Sequence, residues 1–360
     1  MTLPDPDFWR GRRVLITGHT GFKGAWLALW LTRMGATVTG YALAPEHADG
    51  IYAASGVAHR ITPVIADIRH GSVLRECMHL MRPDVVFHLA AQALERRAHQ
   101  NPIETYDVNA MGTAKVLEAM RTARSVRAAV IVTSDKVYEN DDSGRAFSET
   151  DRLGAHEPYG VSKVAAELAT TAFRESLGDG HRLHVATVRA GNVIGGGDWA
   201  EDRLVPDAMR AFAADEPFTL RHPDSTRPWQ YVLDPLCGYL LLAERLLAGD
   251  RAAASAWNFG PEDSAGVPVR DLAALLVDHW NADAWNNAGA GWQTAGDEAG
   301  PYDARVLGVD STKARDRLNW RSRMSLQDAV AATIAWHKAQ FNGADMKDVS
   351  DDALAAYLDL

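Results

Sequence analysis

Arg13-Val14-Leu15-Ile16-Thr17-Gly18-His19-Thr20-Gly21-Phe22-Lys23-Gly24 decides the fold. Its first five residues are the β-branched, apolar run of a short strand, and residues 22–35 carry the apolar spacing of an amphipathic helix. A loop with glycines at 18, 21 and 24 joins the two without a gap. Phosphate cradles need that order: glycines let the backbone approach a pyrophosphate, and the free N–H groups and dipole of the helix start attract its charge. The triplet alone is weak evidence, because a tight βα turn without a ligand reads the same way; its place between strand and helix makes it strong. Gly18, His19, Thr20, Gly21, Phe22, Lys23 and Gly24 are therefore expected to hold a dinucleotide.

Further strands are expected at 37–41, 61–66, 85–89, 129–133 and 183–189, with helices at 72–81, 103–124 and 159–177 between them. Such alternation marks βαβ units, so the expected fold class is α/β, a doubly wound parallel sheet of the Rossmann kind. Past residue 192 the pattern loosens into a glycine run at 195–197 and then interleaved helices and short strands such as 257–260 and 306–309. The expected organisation is a dinucleotide-binding domain over 1–191, a smaller α/β substrate-binding domain over 192–345, and a tail over 346–360 read as a loosely held terminal helix. Residues 231–256 are apolar enough to pack back onto the sheet, and the Gly-, Ala- and Asn-rich stretch 282–301 reads as a surface loop.

The chain's 360 residues exceed the usual size of one hydrophobic core, and 47% of them are hydrophobic, enough for a large domain with a smaller one appended. There is no run of about 18 apolar residues, which excludes a membrane-spanning helix. The opening MTLPDPDFWRGRR lacks the apolar core of a secretory leader, so a cytoplasmic location is expected. Net charge is −10 with scattered basic residues, which speaks against nucleic-acid binding. Cys77 and Cys237 stand far apart with no CxxC partner; both read as buried thiols, and no metal site is expected.

In NAD-binding folds an acidic residue usually closes the second strand, where this chain has Tyr41-Ala42-Leu43. No arginine follows immediately, so NAD is favoured over NADP, held with a weakened grip. Asp67 and Ile68 end the third strand where the adenine would lie, and the small residues of Leu89-Ala90-Ala91-Gln92 let the backbone of the fourth strand's end approach the cofactor. Tyr159 and Lys163 stand four residues apart, hence on one helix face. A phenol with a pKa of about 10 needs an adjacent ammonium to act as a base near neutrality. That spacing is common by chance, but Thr133-Ser134-Asp135-Lys136 ends the fifth strand and faces the same cleft.

Together these residues resemble the extended short-chain dehydrogenase/reductases over essentially the whole chain. Within that group GHTGFKG at 18–24, TSDKVYEN at 133–140, RAGNVIGGGDW at 189–199, RPWQYVLDPLCGYL at 227–240 and WNFGP at 257–261 are similar to the CDP-glucose 4,6-dehydratase family of lyases. The resemblance implies an NAD-dependent enzyme of deoxysugar biosynthesis, such as supplies O-antigen sugars, acting on a CDP-hexose. It implies an internal redox cycle: oxidation at C4, loss of water across C5 and C6, and return of hydride to C6. Tyr159 would take the 4-hydroxyl proton, Ser134 would bond the 4-oxygen, Asp135 would protonate the departing hydroxyl, and Lys163 would hold the nicotinamide ribose. Asn109 and Thr133 would join the cofactor site. Asn192, Arg203, Leu204, Arg221, Arg227 and Gln230, with Glu95, Arg96, Tyr302 and Arg305, would bind the sugar nucleotide. A homodimer through 103–124 and 159–177 is also implied.

Related dTDP-sugar dehydratases carry a glutamate, the C5 base, where this chain has Lys136. Lysine serves only with a depressed pKa, which burial beside Lys163 would supply; the other reading makes it a spectator on the cleft rim. Gln92-Ala93-Leu94-Glu95-Arg96-Arg97-Ala98-His99 departs from the family's QPLVRxSY, and Pro301-Tyr302-Asp303-Ala304 from its PHEA. Glu95 either titrates in the cleft or points to solvent. A nucleotide-sugar epimerase or oxidoreductase would keep Tyr159, Lys163 and Ser134 but has no need of Asp135-Lys136. A silent NAD-sensing regulator has no need of the tyrosine and lysine. Without GxSxG or HExxH, hydrolase and metalloprotease chemistry lack support.

Overall fold

Alternation of side chains along the strands builds two apolar layers. In β1 (Arg13–Thr17) Val14 and Ile16 enter one layer and Leu15 the other; in β4 (Val85–His88, after β2 at Thr37–Ala42 and β3 at Thr62–Ile65) Val85 and Phe87 divide from Val86 in the same way. β5 (Ala128–Val132), β6 (His184–Ala190) and the strand Ala256–Phe259 complete a seven-stranded sheet in the order 256–259, β6, β5, β4, β1, β2, β3. Every pairing in it is parallel. The structure, a computed structural model, describes residues 2–178, 180–262, 266–282, 290–295 and 304–360.

The strand order reverses direction between β1 and β4, and a doubly wound sheet offers its ligand crevice at the carboxyl ends there. Gly71–Met81, Gly112–Thr122 and Pro158–Leu177 cover one face. Phe22–Arg33 covers the other and is buried almost all round, from Gly24 to Leu31, because helices from the second half of the chain lie on its outer side. Leu233–Leu247 packs on β5 and β6, and Trp30 meets Tyr357 edge to face at 5.6 Å.

Four expectations change. The helix expected over 103–124 is Pro102–Tyr106, a π turn at Asp107–Met111 and Gly112–Thr122. The wider turn carries Asn109, whose amide bonds the backbone of Gln92 from both sides. No strand forms over 306–309, because Val306 and Val309 reach different partners, Thr226 and Phe147, through single bridges. Part of the expected loop 282–301 is a strand, Trp292–Thr294, paired with Phe218–Leu220; residues 283–289 and 296–303 lie outside the described ones. The tail is firmly docked. Met346–Asp359 is a helix capped by Asp345, with Leu354 and Tyr357 in the core and the Tyr357 hydroxyl donating to Asp234 at 2.9 Å.

Candidate active site

A cavity of about 630 Å³ lies over the carboxyl ends of β1 and β4 and runs on between the sheet and the second half of the chain. At one end is the glycine loop. Gly18 has φ +79°, and a side chain there would reach within 2.7 Å of the Ala90 nitrogen; one at Gly24 would collide with the Gly18 carbonyl. Gly21 faces the cavity, and the helix it opens has no side-chain cap, so its first N–H groups are free for an anion. Thr20, Phe22, Lys23, Asp67, Ile68 and the segment Leu89–Gln92 also line this end. Asp67 is already engaged by Arg69 at 2.6 Å. These residues fit a dinucleotide: an uncapped helix start for the pyrophosphate, and a glycine cradle too tight for any side chain.

Two residues expected to touch the cofactor do not line the cavity. His19 turns inward under the loop, fully buried edge-on to Tyr52 at 5.2 Å, and burial lowers its pKa to about 4, so it is a neutral packing group. Asn109 lies behind the wall, where it accepts from the Gln92 N–H at 2.8 Å and donates to the Gln92 carbonyl and to Ser162. Thr133 does line the cavity, but its hydroxyl is given to Glu167 at 2.6 Å.

At the chemical end β5 runs into a short 3-10 turn, Asp135–Val137, capped by Ser134. The Ser134 hydroxyl donates to Asp135 Oδ1 at 3.2 Å and stands beside the Tyr159 phenol, whose pKa it pulls down. Asp135 Oδ2 is buried with no partner among the described residues. Burial raises the Asp135 pKa against the opposing pull of Lys136, Ser134 and Arg227, which favours the carboxylic acid. Tyr159 is pushed up to about 12 by burial, the Ser134 hydrogen bond acting the other way. The ammonium expected beside it is turned elsewhere: Lys163 Nζ donates to the Val132 carbonyl at 3.1 Å, and burial, helped by Lys23, lowers its pKa to about 8. Lys23, expected only as part of the glycine loop, reaches this centre, and burial together with Arg203 lowers it to about 8. Lys136 has Glu95 as neighbour rather than Lys163: their charged atoms are 2.6 Å apart, with Lys136 only 15% exposed. Glu95, with 36% of its side chain exposed, turns onto Lys136 and lines the cavity.

Toward the other end Arg96, Asn192, Arg203, Leu204, Arg221 and Arg227 line the cavity. Asp202 stands between Arg96 at 3.7 Å and Arg221 at 2.6 Å, and Asp198 holds Arg203 at 3.3 Å. Two expected contacts do not appear there, and a third residue is not among the described ones. Gln230 points into the fold and donates to the Phe259 carbonyl at 2.9 Å. Arg305 contributes backbone bonds to Asp142 and Thr226 and does not line the cavity. Tyr302 lies outside the described residues.

Sequence reading missed several groups the structure brings in. Glu157 caps the catalytic helix, accepting from the N–H groups of Tyr159 at 2.7 Å and of Gly160. An acidic residue directly before Pro158, at a helix start, is the signal that marks it. Asp198 and Asp202 were marked only by acid–arginine spacing in Asp198–Arg203, which is weak. Cys77 and Cys237 are free, buried thiols. Among the described residues no cluster of His, Cys, Asp and Glu is placed to hold a metal, and no helix is long and apolar enough to cross a membrane.

The family model described as GDP-mannose 4,6 dehydratase matches residues 15–333. Over 359 residues, 98% of each chain, the sequence is 41% identical to the CDP-glucose 4,6-dehydratase of Salmonella typhimurium. The solved structure of MoeE5 in complex with UDP-glucose and NAD is similar with a TM-score of 0.73 at 25% identity, over 91% of this chain and 99% of that one. The dTDP-glucose 4,6-dehydratase DesIV of Streptomyces venezuelae, solved with NAD bound, shares the fold with a TM-score of 0.77 at 23% identity, over 93% and 100%.

Proposed function

The chain belongs to the GDP-mannose 4,6 dehydratase family, and from that premise we propose that it is an NAD-dependent hydro-lyase converting CDP-glucose to its 4-keto-6-deoxy product. The observation that carries the reading is the row Tyr159, Ser134, Asp135 on one cavity wall: a phenol beside a hydroxyl that donates to a carboxyl group which burial pushes toward its acid form. An epimerase has no use for the acid; a dehydratase must protonate the hydroxyl that leaves.

Gly18, Gly21 and the start of the helix Phe22–Arg33 would hold the pyrophosphate, and Lys163 the nicotinamide ribose. Bound there, NAD⁺ would supply the acceptor for the C4 hydride and the donor that returns it at C6. Ser134 and Tyr159 hold the 4-oxygen, and Tyr159 takes its proton. Ser134 relays that proton to Asp135 only after Asp135 has given its own to the departing hydroxyl. The 4-keto group acidifies the C5–H bond, whose proton departs on the Lys136 side. As the C6–O bond breaks, Asp135 protonates the hydroxyl and water leaves. The proton drawn from the 4-hydroxyl replaces the one Asp135 gave up, so the cycle closes with a net loss of one water. Arg96, Arg203, Arg221 and Arg227 suit the diphosphate, with guanidiniums matching its oxygens in pairs.

A homodimer in the cytoplasm completes the proposal, feeding a 4-keto sugar into deoxysugar biosynthesis. The test is incubation with NAD⁺ and CDP-, dTDP-, UDP- and GDP-hexoses. A 4-keto-6-deoxy product from the CDP-hexose in preference to the others is expected; a C4 epimer without C6 deoxygenation, or no product at all, would refute it.

A further inference from the structure

Which group removes the C5 proton is left open by that row, because Asp135 is the proton donor of the elimination and cannot also accept one. Resting on the dehydratase reading, we propose that Glu95 is the C5 base and that Lys136 holds and orients its carboxylate. The two form an ion pair at 2.6 Å, and a lysine held in such a pair is an ammonium with no lone pair to offer carbon. Glu95 lines the cavity, and its second oxygen has no hydrogen bond or ion pair among the described residues. Its charge is felt at the reaction centre, since it raises the pKa of both Tyr159 and Glu157.

Lys136 thus has a carboxyl on either side in opposite roles. Asp135 precedes it in the chain and is shut away from water, which favours the acid; Glu95 faces it across the cavity as its ion-pair partner. One proton donor and one proton acceptor flanking a fixed cation is the arrangement an elimination needs. In the step itself the C5–H bond breaks and its proton goes to Glu95 Oε2. The electron pair becomes the C5=C6 double bond while the C6–O bond breaks and the oxygen takes the proton of Asp135. When hydride comes back to C6, Glu95 returns its proton to C5. The ammonium of Lys136 meanwhile offsets charge building between C5 and the 4-oxygen.

Helix geometry supports the assignment. Glu95 and Arg96 open the helix Glu95–Gln100 side by side, one engaged with Lys136 and the other with Asp202. A short helix gripped at two points holds Glu95 more closely than a free loop does.

The experiment compares the parent enzyme with Glu95→Gln and Lys136→Met in D₂O. It reads deuterium at C5 of the product and of recovered substrate, and follows bound NADH by absorbance in a single turnover. Glu95→Gln should lower C5 exchange and turnover by about 10² or more while NADH still forms. Lys136→Met should slow exchange but keep it measurable. Were Lys136 the base, Glu95→Gln would leave the base in place, so exchange in Glu95→Gln within about threefold of the parent overturns the proposal. Complete loss of exchange in Lys136→Met also overturns it. So does loss of NADH formation in Glu95→Gln, which would make Glu95 a group that positions substrate. Failure of the dehydratase reading looks different: the parent itself then yields no 4-keto product.

Discussion

A carboxyl group that must give up a proton near neutral pH has to be kept from ionising, and burial at 4% exposure pushes Asp135 in that direction, with one oxygen unpartnered among the described residues. Its raised pKa sets the sign of a pH effect: the proton is present at low pH and is lost as pH rises through the shifted value, so elimination should fail first on the alkaline side. Asp135→Asn keeps the shape without the proton. It should let C4 oxidation proceed and stall elimination, seen as NADH that accumulates in a single turnover while deoxy product falls about 10²-fold or more. Tyr159→Phe should fail one step earlier. It should bind NAD like the parent, as judged by equilibrium titration, yet form no NADH, because hydride cannot leave C4 while the hydroxyl keeps its proton. The Tyr159–Lys163 spacing was plain in the sequence, but the direction of the lysine was not: Val132 offers a carbonyl within reach, and Nζ takes it.

The helix Pro158–Leu177 carries the site on one stripe, Tyr159, Lys163 and Glu167, with Glu157 at its cap. Glu167 is fully buried and grips Arg189 of β6 at 2.8 Å, while Thr133 and Thr187 donate to its two oxygens. This pair sets the depth of the helix against the sheet and so the position of Tyr159. Burial tends to raise the Glu167 pKa, but Arg189 and the two threonines outweigh it and lower it. The linked stability is therefore complete above 4.5, the ordinary value, and is lost as pH falls through the lower folded-state value. Glu167→Ala strands a buried guanidinium and should cost about 3–5 kcal/mol in denaturant unfolding. Glu167→Gln should flatten the decline of Tm below pH 4.5; a variant whose acid profile matches the parent would refute the linkage.

At the scale of the whole molecule, apolar side chains stand exposed on the helices that cover one face of the sheet: Ile103 at 79%, Leu168 at 57%, Met111 at 53% and Val161 at 37%. A second copy related by a two-fold axis would cover them as a four-helix contact. The double variant Ile103→Glu with Leu168→Glu should be monomeric by light scattering while keeping the parent's NAD affinity; a parent that is itself monomeric refutes the dimer. The C-terminal helix is the other whole-molecule feature. Tyr357 is 2% exposed, donates to Asp234 and lies under Arg323 at 5.4 Å, so Tyr357→Ala should lower stability by about 3–5 kcal/mol.

Periodicity in the sequence by itself determined the strands β1 to β6, the glycine turn and the stripe of Tyr159 and Lys163, because each depends on neighbours within a turn or a strand. Side-chain alternation along β1 and β4 sends Val14, Ile16, Val85 and Phe87 to one layer and Leu15 and Val86 to the other without help from the rest of the chain. The inward turn of His19, the π turn around Asn109, the docking of the tail and the inward-facing Gln230 were decided only in three dimensions. So were Glu95 against Lys136 and Asp202 between Arg96 and Arg221. Each depends on which distant element supplies a carbonyl, a carboxylate or an apolar wall. Local spacing carries no record of that choice, since an ion pair or a buried polar group is settled by the partner that folding brings within about 3 Å, not by its neighbours in the chain.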